Sequence, residues 1–199
     1  MPKLLLSTTS PYSAKVRMAA VHAGFECEWV LVDTTKPNAE LAAANPLGKI
    51  PVLLTESDGA VFDSVVILQY INRETGGKLL PKNAAKRLEA ERIEAIADGI
   101  CDCAIAFIYE KRQRPEALQY QGWLDKQWGK VTQALDYLEA NPPKLPSRIH
   151  GGHIALAAAL GYLTLRFPGW EKGRPKLRRY AKKFADNHQA LAIYLPHSV

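Results

Sequence analysis

The hydrophobic pattern of this chain changes once, near residue 76, and that change limits the folds open to it. Before it, short apolar runs alternate with segments of helical spacing. KLLLS (3–7) has the length of a buried strand. YSAKVRMAAVHAG (12–24) sets Val16, Ala19, Ala20 and Ala23 on one helical face, with Gly24 as a stop signal. ECEWVLVD (26–33) alternates and is rich in residues that favour strands. TTKPNAELAAAN holds a loop and a short helix. PVLLTESDGAVFD (51–63) predicts a hairpin turning at Ser57-Asp58-Gly59, and Ser64 begins a helical pattern, SVVILQYINRETG. The order is β-α-β-α-β-β-α. Helical crossovers imply a parallel strand pair, and the hairpin adds antiparallel strands.

GGKLLPKNAA (76–85) has the composition of a linker, and beyond it no strand pattern returns. In 86–113, Ile93, Ile96, Ile100, Ala104 and Phe107 fall at helical spacing. In 121–140, Leu124, Trp128, Val131, Leu135 and Leu138 step by four and three. NPPKLPS stops that helix. HIALAAALGYLTLRF (153–167) is apolar almost all round and predicts a buried central helix. The expected organisation is an α/β domain over 1–76, a linker over 77–85 and an all-helical domain over 86–199.

At 199 residues, 47% of them apolar, the chain has enough material for a real core. No apolar run approaches the roughly 20 residues a membrane span needs, and the three leucines near the start are too few for a signal-peptide core. The expected location is the cytoplasm, without a membrane partner. Cys27, Cys101 and Cys103 are odd in number, which argues against a disulfide framework. Cys101 and Cys103 point to different faces of a helix, so all three are expected as small buried apolar residues. The net charge is +6, and EKGRPKLRRYAKKF concentrates basic residues. Leu177, Tyr180, Ala181 and Phe184 run through that segment at helical spacing. Its charges are then the wet face of an amphipathic helix, and no nucleic-acid partner is expected.

Three short stretches have the residue types that chemistry uses. In STTSPYSAKVR, Ser10 precedes Pro11 where a strand gives way to a helix. Pro suits a first helical position and Ser the cap before it. A hydroxyl there, beside the positive helix end, would also stabilise an anion such as a thiolate. In NPLGKIPVL, Pro51 stands where a strand is about to start, although proline cannot donate to a ladder. A cis Ile50–Pro51 bond would turn the chain and leave the Ile50 N–H and C=O facing outward; a trans proline at a strand start is the plainer alternative. In FDSVVILQYI, Asp63 or Ser64 caps a helix. The pair could also take the ammonium and carboxylate of an amino-acid head group.

Taken together, in this order and spacing, SPYSAKVR, NPLGKIPVL, FDSVVILQYI and the KLLP before the second half resemble the glutathione S-transferase superfamily. IEAIADGICD and GYLTLRF…PGW are similar to its bacterial members. The resemblance covers nearly the whole chain. It implies a thioredoxin-like N-terminal domain followed by a helical domain, glutathione as cosubstrate, no metal, a homodimer and a detoxifying role. It implies that Ile50, held by a structural cis-proline at Pro51, pairs its backbone with the cysteinyl part of glutathione as an added strand. Asp63 and Ser64 would hold the γ-glutamyl end, and Lys36 or Lys49 the glycyl carboxylate. Ser10 would face the sulfur, with Thr9 and Ser13 as backups. Thioltransferase-type members carry a cysteine at the Ser10 place, and this chain has none there, which argues against mixed-disulfide chemistry. Tyr12, with Ile105 and Tyr109 opposite, would line the pocket for a small hydrophobic electrophile.

The implied reaction is transfer of the glutathione thiolate to that electrophile. Glutathione-dependent isomerisation, dehalogenation or peroxide reduction, or ligand binding without turnover, are alternatives, since a fold does not fix a reaction. One stretch departs from the family. A Ser/Thr-x-x-Asp capping box usually starts the central helix of the second domain, and here the stretch is His150-Gly151-Gly152-His153. His153 stands where the aspartate would be. A lost cap typically costs about 1 kcal/mol, so this helix start is expected to be weaker or capped differently. A His150/His153 metal site has no carboxylate or cysteine nearby in sequence to complete it.

Overall fold

The computed structural model describes residues 1–198. Its elements run β1 (Lys3–Leu6), α1 (Pro11–Ala23), β2 (Glu28–Leu31), α2 (Ala39–Ala44), β3 (Val52–Thr55), β4 (Gly59–Val61), α3 (Ser64–Glu74), α4 (Ala84–Gln113), α5 (Gln121–Ala140), α6 (Gly151–Arg166), α7 (Pro175–Asn187) and α8 (Gln189–Ala192). The strands form one sheet in the order β2-β1-β3-β4. β1 pairs parallel with β2 and antiparallel with β3, and β3 pairs antiparallel with β4. The architecture is thus a small mixed α/β sheet followed by helices only. The hairpin loop is Glu56 to Asp58, and Gly59 opens β4 opposite Thr55 rather than closing the turn. Thr55 explains the shift: its hydroxyl accepts from the Asp58 N–H and donates to the Gly59 carbonyl, closing a three-residue loop. Helix α4 already starts at Ala84, capped by Asn83, so the linker is shorter than its composition suggests.

Side-chain alternation splits the sheet's two faces. Leu5, Val32 and Val52 pack against Leu41 of α2. Leu4 and Leu6 face a larger core with Val16, Met18 and Ala20 of α1, Ile67 and Ile71 of α3, and Ile154 and Ala157 of α6. Helix α1 is therefore covered on nearly every side, by the sheet and α3 on one flank and by α6 on the other. A second core joins α4, α5, α6 and α7, where Leu177 and Tyr180 bury the apolar side of the basic helix, while Phe184 of that helix packs into the first core. Of the cysteines only Cys101 is buried; Cys27 and Cys103 are half-buried at the edges of these cores.

Helix α6 begins two residues earlier than its apolar run. A Cβ on Gly152 would lie 2.4 Å from the Ala90 carbonyl oxygen of α4, so only glycine permits that approach. The missing aspartate is replaced in function. His153 Nδ1 accepts the His150 backbone N–H at 3.1 Å, and Nε2 lies 2.9 Å from the Lys144 carbonyl. The ring is thus neutral with its proton on Nε2. Burial first, then His150 stacked at 3.7 Å and His188, pull its pKa down to about 4 despite the Lys144 carbonyl. This cap works only while Nδ1 is unprotonated. The folded pKa lies below the unfolded value, so the unfolded chain binds the extra proton and stability falls as pH falls from ~6.5 towards the folded pKa. About 1.6 kcal/mol should be lost between pH 6.5 and pH 5. Urea denaturation at the two pH values should show a smaller loss for His153→Asp, which keeps an acceptor without that titration. An equal loss in the variant would refute this account of the cap.

Candidate functional site at the N-terminus of α1

The N-terminus of α1 is the centre of the site. Ser10 is its N-cap, and Oγ accepts the Ser13 N–H at 3.2 Å. That bond uses an acceptor lone pair and leaves the hydroxyl proton free to be donated. The backups separate. Ser13 is fully buried and its Oγ accepts the Ser7 N–H at 3.3 Å, so it braces the loop. Thr9 is half-buried, and its neighbour Thr8 accepts the His197 N–H at 3.1 Å. The segment carrying His197 is anchored by Tyr194. The guanidinium of Arg17 lies 4.8 Å from the Tyr194 ring and 5.0 Å from that of Trp29.

The Ile50–Pro51 bond is cis. Among the described residues, neither the N–H nor the C=O of Ile50 finds a partner within the chain. The loop before it is held by a residue that sequence reading missed. Asn45 is buried; its Nδ2 donates to the Lys49 carbonyl at 2.8 Å and its Oδ1 accepts the Leu47 N–H at 3.0 Å. Gly48 takes a φ of +60, in the left-handed region that glycine tolerates. The Asn-Pro pair was the available signal, since asparagine commonly bonds to its own loop backbone. Lys49 is exposed and free of ion pairs among the described residues, whereas Lys36 is exposed and paired with Asp33 at 3.4 Å.

Asp63 caps α3, accepting the Val65 N–H at 3.0 Å on Oδ1, and is exposed; Ser64 follows as a buried first helical residue. Facing this end is a row of carboxylates on α4. Glu94, Asp98 and Asp102 step by four and share one helical face, which Ile105 and Tyr109 continue. Lys15 of α1, 1% exposed, reaches into the row: Nζ lies 3.1 Å from Glu94 Oε1 and 2.7 and 2.9 Å from the two Asp98 oxygens. Burial works to lower the Lys15 pKa, but Asp98 and Glu94 outweigh it and the ammonium stays charged. One cation cannot balance two carboxylates, one buried and one partly buried. Burial pushes Glu94 up, Lys15 opposes this, and Asp98 and Asp63 add to the rise.

Tyr12, expected to line the electrophile pocket, has its hydroxyl engaged within the chain. Its hydroxyl donates to Asp102, and burial first, then Cys101, Asp102 and Asp98, push its pKa far up. The phenol is therefore a neutral donor already in use. Its ring borders the helical core, as does Ile105, while Tyr109 is about half exposed.

The sequence matches the family model for the N-terminal domain of glutathione S-transferases over residues 9–74 and the model for their C-terminal domain over 121–183. The chain belongs to the glutathione S-transferase family. It is 35% identical to an uncharacterised GST-like protein of Escherichia coli (strain K12), YibF, over 88% of this chain and 89% of that one. Among solved structures it is similar to a glutathione S-transferase of Methylobacterium radiotolerans in complex with glutathione sulfonate, at 32% identity and a TM-score of 0.91. That match covers 100% of this chain and 96% of the other. A Methylobacillus flagellatus glutathione S-transferase with glutathione bound is 33% identical, with a TM-score of 0.91, covering 99% and 100% of the two chains. Matching is thus nearly end to end, and it includes every element that builds the cleft.

Because Lys15 bridges two cooperating carboxylates, Lys15→Met should destabilise the protein by about 3–5 kcal/mol, read from the urea midpoint. Lys15→Met combined with Glu94→Gln and Asp98→Asn should regain most of that loss. No regain would mean that packing of the lysine stem, not charge balance, dominates.

Proposed function

We propose that this protein is a glutathione transferase that binds glutathione between the α1 N-terminus, the loop before Pro51 and the α3 N-terminus. It then directs the thiolate at a small hydrophobic electrophile. In this reading Ser10 donates its hydroxyl proton to the sulfur, and the Ile50 backbone pairs with the cysteinyl part. Asp63 and Ser64 take the γ-glutamyl head, and Lys49, in preference to the paired Lys36, meets the glycyl carboxylate. Ile105 and Tyr109 of α4 line the electrophile side, with Tyr12 as their hydrogen-bonded floor. The chain divides at residues 76 and 86, the sheet part binding glutathione and the helical part the electrophile. The observation that carries the reading is the Ser10 hydroxyl, satisfied as an acceptor by Ser13 and free as a donor beside the positive end of a 13-residue helix. The related structures with glutathione or its sulfonate bound add independent support.

A free thiol of pKa ~8.5 is only about 3% thiolate at pH 7. A donated hydrogen bond and the helix end lowering that value by ~2 units correspond to roughly 2.7 kcal/mol. Ultraviolet titration of bound glutathione should therefore give a thiol pKa well below ~8.5 in the wild type and closer to it in Ser10→Ala, where only the helix end remains. Glutathione affinity should change little. An unshifted pKa in the wild type would refute activation by Ser10.

We also propose a homodimer. Val66 on α3 and Leu88 on α4 are 43% and 58% exposed, and Phe62 is half-buried beside Val66. The α3 face of one copy would pair with the α4 face of the other. Light scattering should give the mass of two chains, and Val66→Glu should give one. A wild-type monomer would refute this.

A further inference from the structure

A groove of about 890 Å³ lies at the junction of the two halves, between the 76–86 segment and the 144–153 segment. Its floor is apolar, formed by Leu80, Pro81, Pro146 and Ile149. Its rim is basic. Lys82, Lys86, Lys144 and Arg148 all line it and are exposed, and among the described residues none of these side chains has an ion-pair or hydrogen-bond partner. Lys78 adds a fifth charge, although its Nζ is tied to the Ala23 carbonyl at 2.6 Å. Glu89 is the one acidic residue in the lining.

Two further observations point the same way. Helix α6, 16 residues long, begins at the groove, and the position that would place an aspartate over its positive end is occupied by neutral His153. His150 also lines the groove, and its buried Nδ1 finds no partner. The surroundings are cationic as well. His22, behind the groove, is held below its ordinary pKa by burial first, then by His188, with Arg148 and Lys78 contributing in the same direction. Four unpaired cations line one cavity beside a helix end that no carboxylate faces, its Gly151 N–H capped only by the Leu79 carbonyl at 2.8 Å, and leave the site short of negative charge. The volume and apolar floor suit a compact molecule rather than an extended polymer.

We propose that this groove binds a phosphorylated small molecule, with phosphates against the Lys82/Lys86/Lys144/Arg148 rim and any organic body over the Leu80–Pro146 floor. Phosphate oxygens match both the point charges of lysine and the planar fork of Arg148. An occupant would touch the linker and the start of α6 together, so its binding would tie the two halves of the chain.

The test is calorimetric titration of the full chain with inorganic triphosphate and, separately, with ATP, at constant ionic strength set with sodium chloride. Both should bind, with a dissociation constant below about 1 mM. The exposed triple variant Lys86→Gln/Lys144→Gln/Arg148→Gln should lose about tenfold or more in affinity, roughly 1.4 kcal/mol. Lys86→Arg/Lys144→Arg, which keeps the charges, should stay within about twofold of the wild type. Glutathione affinity should be the same in all three proteins. Tighter binding of ATP than of triphosphate supports an organic ligand on the floor, and equal affinity supports a free polyphosphate; both uphold a phosphate site. No binding of either probe, or equal binding by the triple variant, overturns the proposal.

Discussion

The buried ammonium of Lys15 is the contact on which the geometry of this molecule turns. It leaves the sheet side of the protein on α1 and ends between Glu94 and Asp98 of the long helix α4, 79 and 83 residues away in sequence. A charge so buried is tolerated only when its partners are equally fixed, because an uncompensated ion in a dry site costs several kcal/mol. The pairing therefore holds α1 and α4 in register more stringently than apolar packing would. One turn further along α4, Tyr12 bonds to Asp102, giving a second polar tie between the same two helices. Both ties lie within two turns of Ser10. The direction in which the α1 N-terminus points, and hence where an anion can be held, follows from them.

Much of this was legible from residue pattern. The seven-element order of the first half, the helical second half and the near-total burial of α6 follow from periodicities that the core enforces. The helix that contains Val16 and Ala20 and the seam that contains Val131 and Leu135 are buried where the spacing puts them. What escaped the sequence depends on partners far apart along the chain. Nothing near Lys15 reveals that two carboxylates some eighty residues away will close over it, and a lysine on an otherwise apolar helix reads as an exposed residue. The bond that engages the Tyr12 hydroxyl was hidden for the same reason, because its partner, Asp102, is equally remote. Asn45 was missed for the opposite reason: its bonds are local, but they brace a loop whose importance shows only once Ile50 is seen unpaired.

The His150–His153 stretch shows how a local rule can be broken in residue type and kept in chemistry. A capping box needs an acceptor at the third helical position, not an aspartate as such. A neutral imidazole supplies one through Nδ1, while Nε2 adds a bond to the Lys144 carbonyl that a carboxylate could not donate. The exchange removes a negative charge from a helix end already surrounded by lysines. Gly152, forced by the close approach of Ala90, leaves no room for a compensating side chain there. The helix start keeps the bond to its N-cap backbone and loses its electrostatic balance. The charge of the neighbouring groove follows from a packing constraint and a capping substitution acting on the same four residues.

A similar economy governs the cleft at the α1 N-terminus. Residues that cap helices usually exhaust their polar atoms on the backbone, which is why a Ser-Pro or Asp-Ser pair is more often a cap than a site. Here each cap is incomplete in the useful sense. Ser10 accepts from Ser13 and retains a proton to donate; Asp63 accepts from Val65 on one oxygen, leaving the other available. The backbone bond then orients the side chain rather than consuming it, and the helix end supplies a fixed positive potential at no cost in reorganisation when a ligand arrives. Capping and ligand binding are therefore not rival explanations of Ser10 and Asp63. The cap holds each side chain in one rotamer, and that fixed rotamer lets a single hydroxyl or carboxylate oxygen act as a directed contact.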